Sequence, residues 1–371
     1  MAENSHAVIP TWTWAAPLVA SILLALKFLH VIPSDATVVL VLAGILLAAS
    51  VFSAVHHAEV LALKLGEPFG SILLAIAVTV IEVALIVSIM VSGAEGSDAV
   101  ARDTVFAAVM IVLNGVVGLC LIVGGRRHFE QTFQLQGASS ALAVLGTLAA
   151  LALILPNYTL TVLGPSYSPV QAIVVGFASL VLWCVFVFVQ TVKHRNYFLD
   201  DVDDAEEATE ADGHHHAPPS DMEAAICLGL LLVSLTAVVL LAKALSPSLD
   251  SGVQAAGLPQ SFVGVVIAAI VLLPEGLAAA KSALRNQLQN SINLALGSAI
   301  ASIGLTIPTV AVVAIILNQN LTLGISAANV TLLVLTLFVS TLTLGTGRTT
   351  VLQGAIHLVI FAMFLLVSAI P

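Results

Sequence analysis

Residues 68–92 read PFGSILLAIAVTVIEVALIVSIMVS, an apolar run whose only charged residue is Glu82. The run is longer than the roughly 20 residues an α-helix needs to cross a bilayer. It lacks the alternation over ten-residue segments that a membrane strand shows, so a barrel is excluded. The same pattern recurs along the chain and predicts eleven helices, near 13–32, 36–57, 68–92, 104–124, 139–156, 170–192, 223–245, 260–280, 291–317, 326–345 and 350–369. Composition agrees: 59% of the residues are hydrophobic and only 9% are charged. A soluble domain carries about 25% charged residues, so this chain is unable to cover a water-facing surface. The class is an all-α polytopic membrane protein with the lipid bilayer as its first partner.

The formal net charge of -10 is concentrated in one place. Ten acidic residues lie between Asp200 and Glu223, including Asp201, Asp203, Asp204, Glu206 and Glu207. The same stretch holds His214, His215 and His216, then Pro218-Pro219. It is too poor in apolar residues to fold alone and reads as a linker. Its acids and histidines are candidates for a regulatory cation-binding loop, with plain solvation as the alternative. No basic surface for nucleic acid is present. Cys120, Cys184 and Cys227 sit far apart in apolar spans and read as small buried hydrophobes. The first span lacks a basic n-region and a cleavage site, so it is expected to be an uncleaved signal anchor.

Lys and Arg placement sets the expected orientation. With a cytoplasmic N-terminus, Lys64, Arg126, Arg127, Lys193, Arg195, Lys281, Arg285 and Arg348 fall inside, eight of the eleven basic residues. An odd helix count then puts the C-terminus outside. The expected organisation is an extra N-terminal helix (1–33), a first five-helix repeat (34–192), the linker (193–222) and a second five-helix repeat (223–371). Five is odd, so the second repeat enters the membrane upside down relative to the first. Secondary transporters recurrently use this plan, with their binding site at the midplane.

Two carboxylates lie far inside spans. Glu82 sits in Ala77-Val78-Thr79-Val80-Ile81-Glu82-Val83, and Glu275 in Val271-Leu272-Leu273-Pro274-Glu275-Gly276. A charged carboxylate at that depth costs at least a few kcal/mol. Each acid occupies the second helix of its half, which argues for one shared site over two unrelated packing carboxylates. The helix after each acid is rich in small residues: Leu113-Asn114-Gly115-Val116-Val117-Gly118 and Gly297-Ser298-Ala299-Ile300-Ala301-Ser302-Ile303-Gly304. Such residues let helices approach closely. Their oxygens, on Asn114, Ser298 and Ser302, with Thr79 and Thr306 as weaker candidates, also suit a cation. Pro274 donates no hydrogen bond and so frees the Ile270 carbonyl beside the acid. Hard cations such as Ca²⁺ take six to eight oxygens of these kinds.

The stretch from Gly66-Glu67-Pro68-Phe69-Gly70 through Glu82, and that from Leu273-Pro274-Glu275-Gly276 through Pro308, resemble the two α-repeats of the calcium/cation antiporter superfamily. The resemblance covers nearly the whole chain and points to the bacterial ChaA-type calcium/proton and sodium/proton branch. It implies a secondary antiporter of a bacterial inner membrane, with no cofactor. Glu82 and Glu275 would bind cation and proton alternately, and Asn114 and Ser298 would hold equivalent places. The exchangers of this kind that handle calcium carry more side-chain oxygens around the acids, so Na⁺ and K⁺ stand beside Ca²⁺ as expected substrates. Glu67 precedes Pro68 at a helix start, where the helix dipole favours an acid; a role in admitting the cation is the alternative.

Two rival functions use the same residues. A passive channel would employ the acids as a selectivity ring, but channels are commonly symmetric oligomers around a pore. A membrane enzyme would need a catalytic motif. His56-His57-Ala58-Glu59 only superficially resembles HExxH, and there is no P-loop or nucleophile–base pair. His56, His57 and Glu59 are expected as interfacial anchors, with feeding protons to the site as the alternative, and His357 as a satisfied interior histidine, with a proton relay as the alternative.

Overall fold

The computed structural model describes residues 10–29, 31, 37–65, 69–92, 96–199 and 219–371. Among them, eleven helices are long and apolar enough to span a membrane. They are α1 (Thr11–Phe28), α2 (Thr37–Leu65), α3 (Phe69–Ser92), α4 (Val100–His128), α5 (Leu135–Tyr158), α6 (Pro169–Lys193), α7 (Asp221–Ala255), α8 (Phe262–Leu284), α9 (Leu288–Leu317), α10 (Ala327–Leu344) and α11 (Val351–Ala369). Every expected span is present. The largest boundary difference is in α7, which runs ten residues beyond the expected 245, through Pro247. Some helix starts carry side chains that accept the first free N–H groups. Ser168 with Gln171, and Thr350 with Gln353, form capping boxes, and Ser326 caps α10. Asn318, left-handed at φ 52°, ends α9. Large apolar side chains such as Phe177, Phe338 and Val359 are exposed, as a lipid-facing surface requires.

The helices form two compact units. In the first, α1, α2 and α3 pack with the greater part of α7. Lys64 ends α2 and pairs with Asp221 at the start of α7, 2.7 Å away. Further along, Ser53 lies 3.0 Å from Ser234, so α2 and α7 run antiparallel. Lys27 near the end of α1 donates to the Ala244 carbonyl.

The second unit contains α4, α5, α6, α8, α9, α10 and α11. Its connections gather at two opposite ends. At one end, Thr322 bonds to Asp98 through its amide and its hydroxyl, and Leu323 and Gly324 donate to the Pro165 carbonyl. Tyr167 is buried here, donating to the Leu151 carbonyl at 2.6 Å, and burial pushes its phenol pKa up to about 12. At the other end, strand β1 (Gln131–Thr132) pairs antiparallel with β2 (Arg348–Thr349). There His128 donates to the Leu284 carbonyl and Gln131 to the Ala283 carbonyl. Connections before α4, α6 and α10 thus share one end, and those after α4, α8 and α10 share the other. Consecutive spans alternate in direction. The second end carries Arg126, Arg127, Lys193, Arg195, Lys281, Arg285 and Arg348, whereas the first carries Arg102.

Close helix contacts in this unit occur where a side chain is missing. A Cβ on Gly264 would come within 2.8 Å of the Asp103 backbone, and one on Gly304 within 2.6 Å of the Trp183 Cβ. Gly118 and Gly354 face each other across α4 and α11 in the same way. Gly297, on the same helix as Gly304, has open space around its Cβ position. Gly304→Ala is therefore expected to destabilise the protein by about 1–3 kcal/mol through overpacking, while Gly297→Ala leaves stability unchanged or slightly raised. Thermal unfolding of the purified variants in detergent checks the contrast. Equal melting temperatures would show that α6 and α9 are not closely packed at Gly304.

Candidate functional site

In the second unit the site builds outward from Glu275. Residues 262–284 form a continuous helix despite Pro274, whose missing N–H leaves the Ile270 carbonyl without its usual helical donor. Glu275 follows directly and is 5% exposed. Ser298 on α9 donates its hydroxyl to Glu275 Oε2 at 2.9 Å. Ser302, one turn further along α9, is buried, as is Thr306 a turn beyond it. The Thr306 hydroxyl has no hydrogen-bond partner among the described residues. Glu275 and Ser298, both candidates from the sequence, are thus in direct contact.

Helix α8 lies parallel to α4. Gly264 abuts Asp103 and Thr104, and Gly276 abuts Val116. Glu275 is therefore level with residues 111–116 of α4, which form a π-helical turn. Such turns insert one residue into an α-helix and recur at functional sites. Asn114 is in this turn and fully buried. Its amide is bonded away from Glu275: Nδ2 donates to Thr336 Oγ1 at 2.9 Å, and Oδ1 lies 3.1 Å from His357 Nδ1. The other ring nitrogen of His357 is 3.1 Å from Thr343 Oγ1. His357 is thus the satisfied interior histidine expected. What sequence reasoning missed is its partner. The available signals were a lone histidine in an apolar span and two threonines seven residues apart on α10.

In the first unit Glu82 is 3% exposed, on α3. Thr79, also buried, donates to the Ala75 carbonyl of its own helix at 2.8 Å. His57 departs from the interfacial role expected of it. It is fully buried, and its Nε2–H donates to the Thr13 carbonyl at 3.2 Å, because α1 covers that face of α2. His56 is half-buried beside the Trp12 ring. Cys184 also departs from expectation: it is exposed, while Cys120 and Cys227 are buried. An apolar span has a lipid-facing side, and a small thiol there needs no burial. Glu67 and the loop residues Asp201, Asp203, Asp204, Glu206, Glu207, His214, His215 and His216 lie outside the described residues. Among the described residues, no three His, Cys, Asp or Glu side chains converge as a metal-binding group.

A helical membrane protein with a carboxylate buried deep in a span of each unit has the architecture of an ion carrier. The chain belongs to the sodium/calcium exchanger protein family, whose model matches residues 36–192 and 226–370. The y4hA protein of Sinorhizobium fredii is 56% identical over 98% of this chain and 97% of its own length. The sodium-potassium/proton antiporter ChaA of Escherichia coli is 36% identical over 88% of this chain and 87% of its own. The solved structure of native YfkE superposes with a TM-score of 0.72 at 15% identity, over 97% of this chain and 100% of that one. At that identity the likeness is one of fold.

The Ser298–Glu275 contact gives a direct test. A hydrogen bond to an ionised group is worth about 1.5–3 kcal/mol. Ser298→Ala is expected to weaken apparent cation affinity about tenfold or more without reducing the folded yield. Transport by the reconstituted variant, measured against cation concentration, checks this; unchanged affinity would remove Ser298 from the site.

Proposed function

We propose that this protein is a secondary cation/proton antiporter in which Glu82 and Glu275 alternately carry protons and a cation. The observation that carries the reading is the pair of buried carboxylates, each well inside a span, in a chain of the sodium/calcium exchanger family. The two matched segments of that family flank residues 193–222, which supports a division into two halves around that linker. Ser298, Asn114, Ser302, Thr79 and the Ile270 carbonyl complete the proposed oxygen set, and Glu67 is proposed to assist admission. The acidic, histidine-bearing loop is proposed to modulate transport by binding cations.

The coupling follows from electrostatics. A bare carboxylate in a low-dielectric span costs several kcal/mol, so an empty, doubly ionised site is the state to avoid. The site then crosses the membrane holding protons or a cation. A ligand drives such a transition only through its different affinity for the two states. If both acids release protons to one divalent ion, two H⁺ exchange for one Ca²⁺ with no net charge moved. Each pH unit then supplies about 2.7 kcal/mol, twice the roughly 1.36 kcal/mol per proton. Ca²⁺, Na⁺ and K⁺ are the proposed substrates, and the names of two relatives, a sodium-potassium/proton antiporter and a Ca²⁺/H⁺ antiporter, support that range. The energy source is an ion gradient, and no cofactor takes part.

Glu82→Gln and Glu275→Gln keep the side-chain shape but do not titrate. Each is expected to abolish cation-dependent proton flux in liposomes carrying a pH-sensitive dye, with membrane insertion intact. Wild-type flux in either variant would remove that residue from the mechanism.

The proposed membrane is a bacterial inner membrane, with the N-terminus cytoplasmic and the C-terminus outside. The seven basic residues at one end of the second unit support this orientation. Glu130 and Asn320 are exposed in connections at opposite ends of that unit. In a background lacking the native cysteines, Glu130→Cys should react with a membrane-impermeant maleimide only from the cytoplasmic side, and Asn320→Cys only from outside. The reverse labelling would invert the orientation.

A further inference from the structure

Asn114 on α4 is held by side chains from two other helices, α11 and α10. Gly118 and Gly354 let α11 approach α4 so closely that a Cβ on Gly118 would lie 3.0 Å from the His357 Cβ and 3.2 Å from the Gly354 carbonyl. This approach carries the imidazole to the π-helical turn. Phe361, one turn further along α11, lies over Gly115 next to Asn114. From α10, Thr336 and Thr343 reach the two ends of the array. All four polar side chains are buried.

The donor and acceptor roles form one chain. The Thr343 hydroxyl donates to His357 Nε2, His357 Nδ1–H donates to Asn114 Oδ1, and Asn114 Nδ2–H donates to Thr336 Oγ1. Every member acts in a role open to a neutral imidazole. The carboxamide is thereby fixed in plane and in direction. A carbonyl oxygen has two lone pairs, and His357 takes one. The second is what Asn114 has left to offer a cation level with Glu275. Without the imidazole, a π-helical turn held by fewer bonds leaves that oxygen free to rotate, and a rotating ligand binds more weakly because its orientation must be fixed on binding.

We propose that His357 is a positioning residue of the transport site, acting through Asn114 with Thr343 behind it. The proposal rests on the reading of Asn114 as a cation-site residue. It assigns a place in the transport reaction to α10 and α11, neither of which carries an acid.

The experiment measures KM and kcat for Ca²⁺, Na⁺ and K⁺ separately in proteoliposomes, for His357→Leu, His357→Asn, Asn114→Ala and the Asn114→Ala/His357→Leu double variant. Asparagine places an N–H close to where Nδ1–H lies and so is the rescuing replacement. The expected result is a KM raised up to about tenfold in His357→Leu, the upper scale of one lost neutral hydrogen bond, with kcat within about twofold. His357→Asn should return KM to within about threefold of wild type, and His357→Leu should add nothing once Asn114 is alanine. A loss that merely reflected weaker folding would instead follow melting temperature and persist in the double variant. If His357→Leu fails to insert, Thr343→Val replaces it in the same cycle, with the same KM rise expected only where Asn114 is present. A raised KM in Asn114→Ala with none in the His357 or Thr343 variant overturns the positioning role and leaves the site reading standing. So does a His357→Leu effect undiminished in the double variant. An unchanged KM in Asn114→Ala overturns the site reading at Asn114 and the positioning role with it.

Discussion

Hydrocarbon offers no hydrogen-bond partner, so polar groups inside the spans must find theirs within the protein. Many hydroxyls within the described spans meet that demand locally. Thr79, Ser88, Thr191, Ser234, Thr309 and Thr331 each donate to the carbonyl four residues earlier on their own helix. The hydroxyls that donate to another helix are therefore informative. Ser298 gives its hydrogen to Glu275, Ser291 on the same helix gives one to the Ala279 carbonyl, and Thr343 serves His357. Such outward bonds occur on α8, α9 and the helices around Asn114, the region proposed for transport chemistry, and also in the first unit, where Ser53 on α2 donates to the Thr13 carbonyl on α1.

Such bonds need backbones brought close, and glycine makes that approach available. Gly264 and Gly276 admit α4 along α8, and Gly118 and Gly354 bring α11 onto α4. The same contacts that order the second unit hold Glu275 level with the π-helical turn and place an imidazole beside Asn114. Packing and polar satisfaction are in this sense one requirement: remove the close approach and the hydrogen bonds no longer reach.

The spans were legible because apolar runs of this length have few other physical readings, and Glu82 and Glu275 because a lone carboxylate in such a run stands out against its cost. Ser298 was legible through its place in a small-residue stretch after the acid. Other features left no mark on composition. The π-helical turn at Ile111–Val116 adds one residue to a helical turn without changing the apolar pattern by which the span was read. The bonds from Asn114 to His357 and Thr336 join residues more than two hundred positions apart, which no local pattern reports. His57 looked interfacial from its distance along α2, but a helix that continues to Leu65 and is covered by α1 places it inside. Compact grouping of α7 with α1, α2 and α3 likewise reflects contacts made after the chain has folded back on itself.

The π-helical turn also changes the phase of α4. Each residue of an α-helix advances the side-chain direction by about 100°, so one inserted residue rotates everything beyond it by about that angle relative to a regular helix. Before the turn, α4 presents Asp103 and Thr104 to α8; within it, Val116 meets Gly276 of α8 and Gly115 meets Phe361 of α11; beyond it, Gly118 and Gly125 face α11. A uniform helix keeps a single azimuth for each neighbour along its whole length. The interrupted one is in effect two short helices joined on a common axis, the second turned relative to the first, with Asn114 at the joint.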